Sequence, residues 1–216
     1  MRAINLLVIL LVSFPLFSQK HKFQEGILIT KSGEKLQGLI HWKKNSSTDD
    51  SVFFKKNDES PETHFSWSEL TDVLSNDNKQ ILKICTVRRN LEYVDATDFT
   101  IRLKDSIAEE TIPLTPVYSG KKLSLYQFYD KAPFYFVYDG KKMLQLVQKY
   151  RYLTMQERLF DYQQARRFLI TDVYKGLLAT FYNFHEDKKL QYILDNTIYD
   201  ERSLKYLFSK MDSKMK

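Results

Sequence analysis

The sequence predicts an α+β protein, with an antiparallel β-rich N-terminal and central region followed by C-terminal α-helices. Three observations carry this. Apolar and polar residues alternate with period two up to about Val147, between turns marked by Gly, Asn, Asp and Ser. Beyond that the apolar residues recur at helical spacing. No Pro/Gly/Ser-rich linker separates the two regimes, so the β-rich region (19–153) and the helical region (154–216) are expected to form one compact unit.

The strands follow in order. Glu25–Thr30 and Lys35–Trp42 flank Lys31-Ser32-Gly33-Glu34, where Gly33 is free to take a positive φ. Leu36, Gly38, Ile40 and Trp42 would share a face of the returning strand. Gly38 inside it suggests a bulge or a close backbone approach. Asn45–Asp50 reads as a polar loop. Ser51–Lys55 and Thr63–Trp67 form a second hairpin around Asn57–Pro61, and Ser68–Leu74 reads as a short helical turn. Strands at Ile81–Val87, Phe99–Leu103, Leu123–Tyr129, Phe134–Tyr138 and Met143–Val147 follow, the last two joined at Asp139-Gly140. The Gly turns at 33, 120 and 140 have no fixed period, so they are turn chemistry and no repeat. Ile40, Trp42, Phe54 and Trp67 are expected in the sheet's core.

The last third turns helical. Ile170, Val173, Leu177, Leu178 and Phe181 are at helical spacing, and so are Leu204, Leu207, Phe208 and Met211 behind an Asp200 cap. Leu190, Ile193 and Leu194 make a short helix between them. Gln156–Leu169 reads as partly helical. Val173, Leu177, Phe181, Leu204 and Phe208 are expected to pack the helices onto the sheet.

Residues 1–18 have the layout of a cleavable secretory signal: Met1-Arg2, an apolar run to Phe17 closed by Pro15, and the small Ser18. The run is too short to span a bilayer comfortably, no Cys follows it, and no later segment approaches a membrane-spanning helix. The expected mature chain begins at Gln19. Its expected location is periplasmic or secreted, peripheral to the outer membrane. Cys85 is the only cysteine, so the fold holds without an internal disulfide, and its apolar strand setting suggests a small buried hydrophobe.

Charge and aromatics are uneven. Residues 19–110 carry 14 Lys and Arg against 16 Asp and Glu; residues 111–216 carry 18 against 11. Thirteen of the 14 Tyr lie in the second stretch. Aromatic faces stack on sugars and cations attract phosphates or carboxylates. Candidate ligand-binding residues are therefore Lys121, Lys122, Tyr126, Tyr129, Tyr135, Tyr138, Lys141 and Lys142, on adjacent strands and turns of the central meander. The competing reading is that Tyr suits half-buried strands, its ring packed and its hydroxyl wet.

Gly26-Ile27-Leu28-Ile29 followed by Gly33-Glu34-Lys35-Leu36-Gln37-Gly38-Leu39-Ile40, directly after an export signal, resembles the opening of a group of uncharacterised exported proteins of Bacteroidetes bacteria. Tyr118–Tyr126 resembles their glycine-lysine hairpin, and Leu204–Met211 their closing helix. The chain departs from the group in lacking Cys in its C-terminal helices. The resemblance implies an envelope location and no activity.

Motifs for chemistry are sparse. Ser32–Lys35 and Ser119–Lys122 match S-x-x-K, but both lie in hairpin turns, whereas that chemistry needs the Ser at a helix start. His21, His41, His64 and His185 form no metal-ligand spacing, and His41 and His64 read as sheet residues. Asp49-Asp50 and Glu109-Glu110 are adjacent pairs in expected loops and do not make a glycosidase pair. No catalytic, metal or cofactor residue is assigned, and no cofactor is expected. The favoured class is a non-enzymatic envelope binding or interaction module, its partner an envelope protein, a glycan or an anionic surface, with no nucleic acid. The alternative is an envelope hydrolase with scattered catalytic groups.

Overall fold

The computed structural model describes residues 22–42, 51–94, 100–102, 107–160 and 168–215. The expected export signal, the Asn45–Asp50 loop, His21, Phe99 and Leu103 lie outside the described residues.

β1 (Gln24–Thr30) and β2 (Lys35–His41) pair antiparallel, with Gly26 opposite Gly38 and Gly33 turning at φ 86°. A Cβ at Gly38 would sit 2.2 Å from the Lys55 carbonyl oxygen, so the expected close approach is real. β3 (Ser51–Lys55) and β4 (Thr63–Ser66) form the second hairpin. β5 (Leu70–Ser75) and β6 (Gln80–Asn90) follow, and β7 (Tyr93–Val94) and β8 (Ile101–Arg102) pair as a small separate ribbon. β9 (Ile107–Ser119), β10 (Ser124–Asp130), β11 (Ala132–Tyr138) and β12 (Met143–Leu146) make the central meander. β13 (Lys149–Tyr152) and β14 (Phe168–Thr171) pair as a second ribbon, with α1 (Met155–Phe160) between them in sequence. α2 (Val173–Ala179), α3 (Lys188–Asp195) and α4 (Glu201–Lys214) complete the chain.

Ten strands form one antiparallel sheet in the order β12-β11-β10-β9-β6-β5-β1-β2-β3-β4. Its long central strand β6 serves two cores by simple alternation. Leu82 and Ile84 face a cluster with Leu28, Ile40, Val52, Phe54, Trp67 and Val73. Val87, three residues beyond Ile84 and so of opposite parity, faces Ile112, Leu114, Tyr126, Phe128, Phe134 and Phe136. The C-terminal flank curls over that second core until β12 packs back against β6. The Gln145 side chain closes the seam, accepting from Asn90 N at 2.6 Å and donating to Asn90 O at 3.2 Å. A third core lies on the outer side of β10–β12, where Leu125, Tyr135, Val137 and Leu146 meet Tyr174, Leu178, Leu190, Leu194, Leu204, Leu207, Phe208 and Met211 of the helices.

Several expectations need correction. Ser68–Leu74 is not a helical turn: only Trp67–Glu69 forms a single 3-10 turn, capped by Glu69 on the Ser66 N–H at 2.7 Å, and Leu70 onward is strand. Both neighbours β1 and β6 offer β5 a full ladder, which a helix would forfeit. Trp67 is buried, as expected, but from that turn and not from a strand. Trp42 packs against the same core, only partly buried. Glu109-Glu110 is not a loop but the middle of β9, paired to Arg88 and Val87. Ile170 belongs to β14, so helix α2 begins later, and Val173 is 41% exposed. The fully buried face of α2 is Tyr174 and Leu178, one turn apart, and Leu177 and Phe181 pack against the same core, as expected, though only partly buried. Asp200 does cap α4, accepting from Ser203 N at 2.8 Å.

Candidate functional site

The meander's two glycine-lysine turns lie at the same end of the sheet, since Ser124 pairs with both Ser119 and Tyr138. Lys121, Lys122, Lys141 and Lys142 are therefore neighbours on one rim, all exposed. Each turn is organised by a carboxylate. Asp139 Oδ1 accepts from Lys141 N and Lys142 N at 2.9 and 2.8 Å. Asp212 of α4 accepts from Lys122 N at 3.0 Å, Lys121 N at 3.1 Å and the Tyr118 hydroxyl at 3.3 Å. These donors, the Lys122 N–H foremost, hold the Asp212 carboxyl below its usual range. A Cβ at Gly120 would lie 2.8 Å from Asp212 Cγ and 2.4 Å from Leu123 O, so the clamp requires glycine there.

The four candidate tyrosines do not share the rim or one face. Tyr126 and Tyr138 point into the curl of the sheet; Tyr126 is buried, and the Tyr138 ring lies under Lys83 at 5.2 Å. Tyr135 is fully buried on the helix side, and burial pushes its hydroxyl up to about 12. Tyr129 is exposed but lies at the far end of β10, opposite Pro133. Tyr126 and Tyr135 are thus withdrawn as ligand contacts. Alternation alone forces the split, because 126 and 129, like 135 and 138, differ by an odd number of residues.

Sequence reasoning missed three constellations. The first is Arg89, 5% exposed at the end of the curled core. Its guanidinium donates to Glu110 at 3.0 Å and to Asp130 at 3.2 Å, and its central carbon sits 4.9 Å and 5.2 Å from the Phe134 and Phe128 ring centres. This cluster ties β6, β9 and β10 together with all three guanidinium nitrogens donating to the two carboxylates, so it is a structural bolt. The second is a ring ladder on the side of the N-terminal strands away from their core. Phe23, His41, Phe53 and His64 succeed one another at 5.9, 5.9 and 4.5 Å between centres. His41 and His64 are sheet residues, as expected.

The third constellation is the β13–β14 ribbon. At its base the Tyr150 hydroxyl donates to Gln148 at 2.8 Å and Gln148 donates to Asp172 at 2.7 Å. Burial, then the Asp172 and Glu92 charges, push Tyr150 up to about 12, so it is a neutral anchor at physiological pH. Glu92 Oε2 is buried beside this network without a hydrogen-bond partner among the described residues. Outward, the ribbon and its flanks expose Tyr152, Met155, Leu169, Ile170 and Val173, half of the exposed large apolar side chains among the described residues. Tyr152 and Ile170 lie on one face and Leu169 on the other, so neither face of the ribbon is fully covered.

Among the described residues no group of three or more His, Cys, Asp or Glu is placed to hold a metal ion, and no helix is long and apolar enough to cross a membrane. No family model, curated protein or solved structure matches the chain.

Proposed function

We propose that the protein is an exported envelope protein that works as an interaction module, docking a partner protein on the β13–β14 ribbon. The observation that supports this is the concentration of exposed Tyr152, Met155, Leu169, Ile170 and Val173 in one short stretch of chain. Apolar side chains scattered singly over a surface need no explanation, but five gathered on the two faces and flanks of one short ribbon suit a segment that is covered in use. The ribbon is anchored at its base by Tyr150 and Gln148, which presents the apolar residues on a fixed platform. The export signal at residues 1–18 and the resemblance to exported Bacteroidetes proteins support the envelope location.

The test compares the mature protein with a Leu169→Ser/Ile170→Ser variant as bait for solubilised envelope proteins. A partner retained by the natural chain and lost by the variant supports the reading, provided both have the same thermal unfolding midpoint. Identical capture by both sinks it.

A further inference from the structure

The basic, tyrosine-rich character of the second half resurfaces on the helices, away from the meander where the sequence placed it. α4 buries Leu204, Leu207, Phe208 and Met211 along one side. Arg202, Lys205, Tyr206 and Lys210 recur at three- and four-residue spacing on the opposite side, all exposed. α3 repeats the arrangement: Leu190 and Leu194 face the core, and Lys188, Lys189 and Tyr192 face out. Both helices cover the same core, so their outer sides look away from it together.

Two independent features set this layer apart. None of Lys188, Lys189, Arg202, Lys205 and Lys210 forms an ion pair among the described residues, although Lys175 and Lys214 nearby each hold a carboxylate. The same layer also exposes Tyr192 (70%), Ile198 (68%) and Tyr206 (52%), with Lys210 lying over the Tyr206 ring at 5.2 Å. Unpaired cations interleaved with exposed tyrosines match the level of lipid headgroups, where the rings sit at the interface and the cations meet phosphates.

We propose that the outer side of α3 and α4 seats the protein on an anionic phospholipid bilayer. Charge complementarity selects this occupant: the five exposed cations outnumber the exposed carboxylates Asp195 and Glu201 of the two helices, and the helices' apolar sides are already used by the core, so nothing inserts deeply and the attraction is electrostatic. The contact is peripheral, reversible and salt-sensitive. It is independent of the ribbon, which leaves the β13–β14 residues free for a partner protein.

Vesicle co-sedimentation tests it, using the mature protein with phosphatidylcholine vesicles that contain either no phosphatidylglycerol or about 30 mol % of it. Binding is expected only to the anionic vesicles, weakening at least tenfold as salt rises from about 0.05 M to about 0.5 M. An Arg202→Glu/Lys205→Glu/Lys210→Glu variant is expected to lose at least tenfold, and the milder Arg202→Gln/Lys205→Gln variant a smaller part, with far-ultraviolet dichroism unchanged. The Leu169→Ser/Ile170→Ser ribbon variant is expected to bind as the natural chain does. Equal binding to neutral vesicles, no binding to either, or undiminished binding by the charge-reversed helix would overturn the proposal.

Discussion

The Tyr199 hydroxyl donates to the Leu146 carbonyl oxygen at 2.5 Å and accepts from Tyr135 N at 3.2 Å. Tyr135 and Leu146 are opposite residues of β11 and β12, the last pair where β12 ends. One phenol from the segment before α4 thus sits across the end of a strand ladder and satisfies a group on each strand. Its ring is edge-on to Tyr135 at 5.1 Å and tilted on Tyr174 at 5.4 Å, and the Tyr174 hydroxyl donates to Thr197 O at 2.9 Å. The helical layer is fastened to the sheet through tyrosines whose burial raises their hydroxyls far out of reach of physiological pH.

Tyr199→Phe leaves the Leu146 carbonyl and the Tyr135 N–H without that partner while keeping the ring. The expected cost is about 2 kcal/mol, the desolvation penalty of buried groups left unpaired. Urea unfolding followed by tyrosine fluorescence measures it. A change within a few tenths of a kcal/mol would mean that water or a neighbouring group takes over both bonds.

Arg89→Met should cost about 3 kcal/mol, the low end of what removing one partner of a buried ion pair costs, because Glu110 and Asp130 keep part of their surface in water. Adding Glu110→Gln and Asp130→Asn should recover part of that loss, since the stranded carboxylates are then gone. Arg89→Lys should also destabilise, because a lysine offers no planar fork to span both carboxylates and no flat face for Phe128 and Phe134.

What the sequence made legible was local. The hairpins at Gly33, Gly120 and Gly140 and the Asp200 cap each depend on a few adjacent residues, and each is present. What it hid was long-range. The alternation in β6 is readable, but that its two faces meet different cores depends on the sheet curling until Gln145 reaches Asn90. Arg88-Arg89 and Glu109-Glu110 look alike as dipeptides. Only the register, which sets Arg88 opposite Glu109, and the Asp130 turn from a third strand single out Arg89 and Glu110. The tyrosine excess was visible, but which rings are buried follows from how the helices lie on the sheet. Of the candidate ligand residues, composition could single out the basic, tyrosine-rich half but not which side chains reach its surface: the four lysines are exposed, while Tyr126 and Tyr135 are buried.

Asp212 gives an acid-side signature. Hydrogen bonds from Lys122 N, Lys121 N and Tyr118 place its folded pKa below the ordinary 3.8. A depressed carboxylate stabilises the fold fully above its unfolded pKa and loses that contribution as pH falls through the folded value. The unfolding midpoints of the natural chain and of Asp212→Asn should therefore differ most at neutral pH and converge below pH 3.8. A gap that stays constant down to acid pH would show that the carboxylate's charge contributes nothing to the clamp.

The export reading makes a direct demand on the protein isolated from its own cell. Its first residue should be Gln19, cyclised or not, because cleavage follows the small Ser18 after the Pro15 break. Intact-mass measurement showing Met1 or Arg2 on most molecules would refute processing at that site.

Cys85 must survive in whatever compartment the chain occupies. Its side chain packs against the curled core, and burial is the main cause that pushes the thiol up to about 11, with Asp72 adding to it and Lys83 opposing. The thiolate is the reactive form, so a shift from 9.0 to about 11 lowers its population at neutral pH about a hundredfold. Labelling by a disulfide reagent at pH 7.5 should then be at least that much slower in the native protein than in urea, with steric shielding adding to the gap. Comparable rates in both states would mean that the sheet around β6 opens readily, exposing Cys85 to intermolecular pairing. A lone thiol held protonated inside a sheet offers no attacking group, and the fold reaches its stability through packing, the Arg89 bolt and the tyrosine fastenings without any covalent tie.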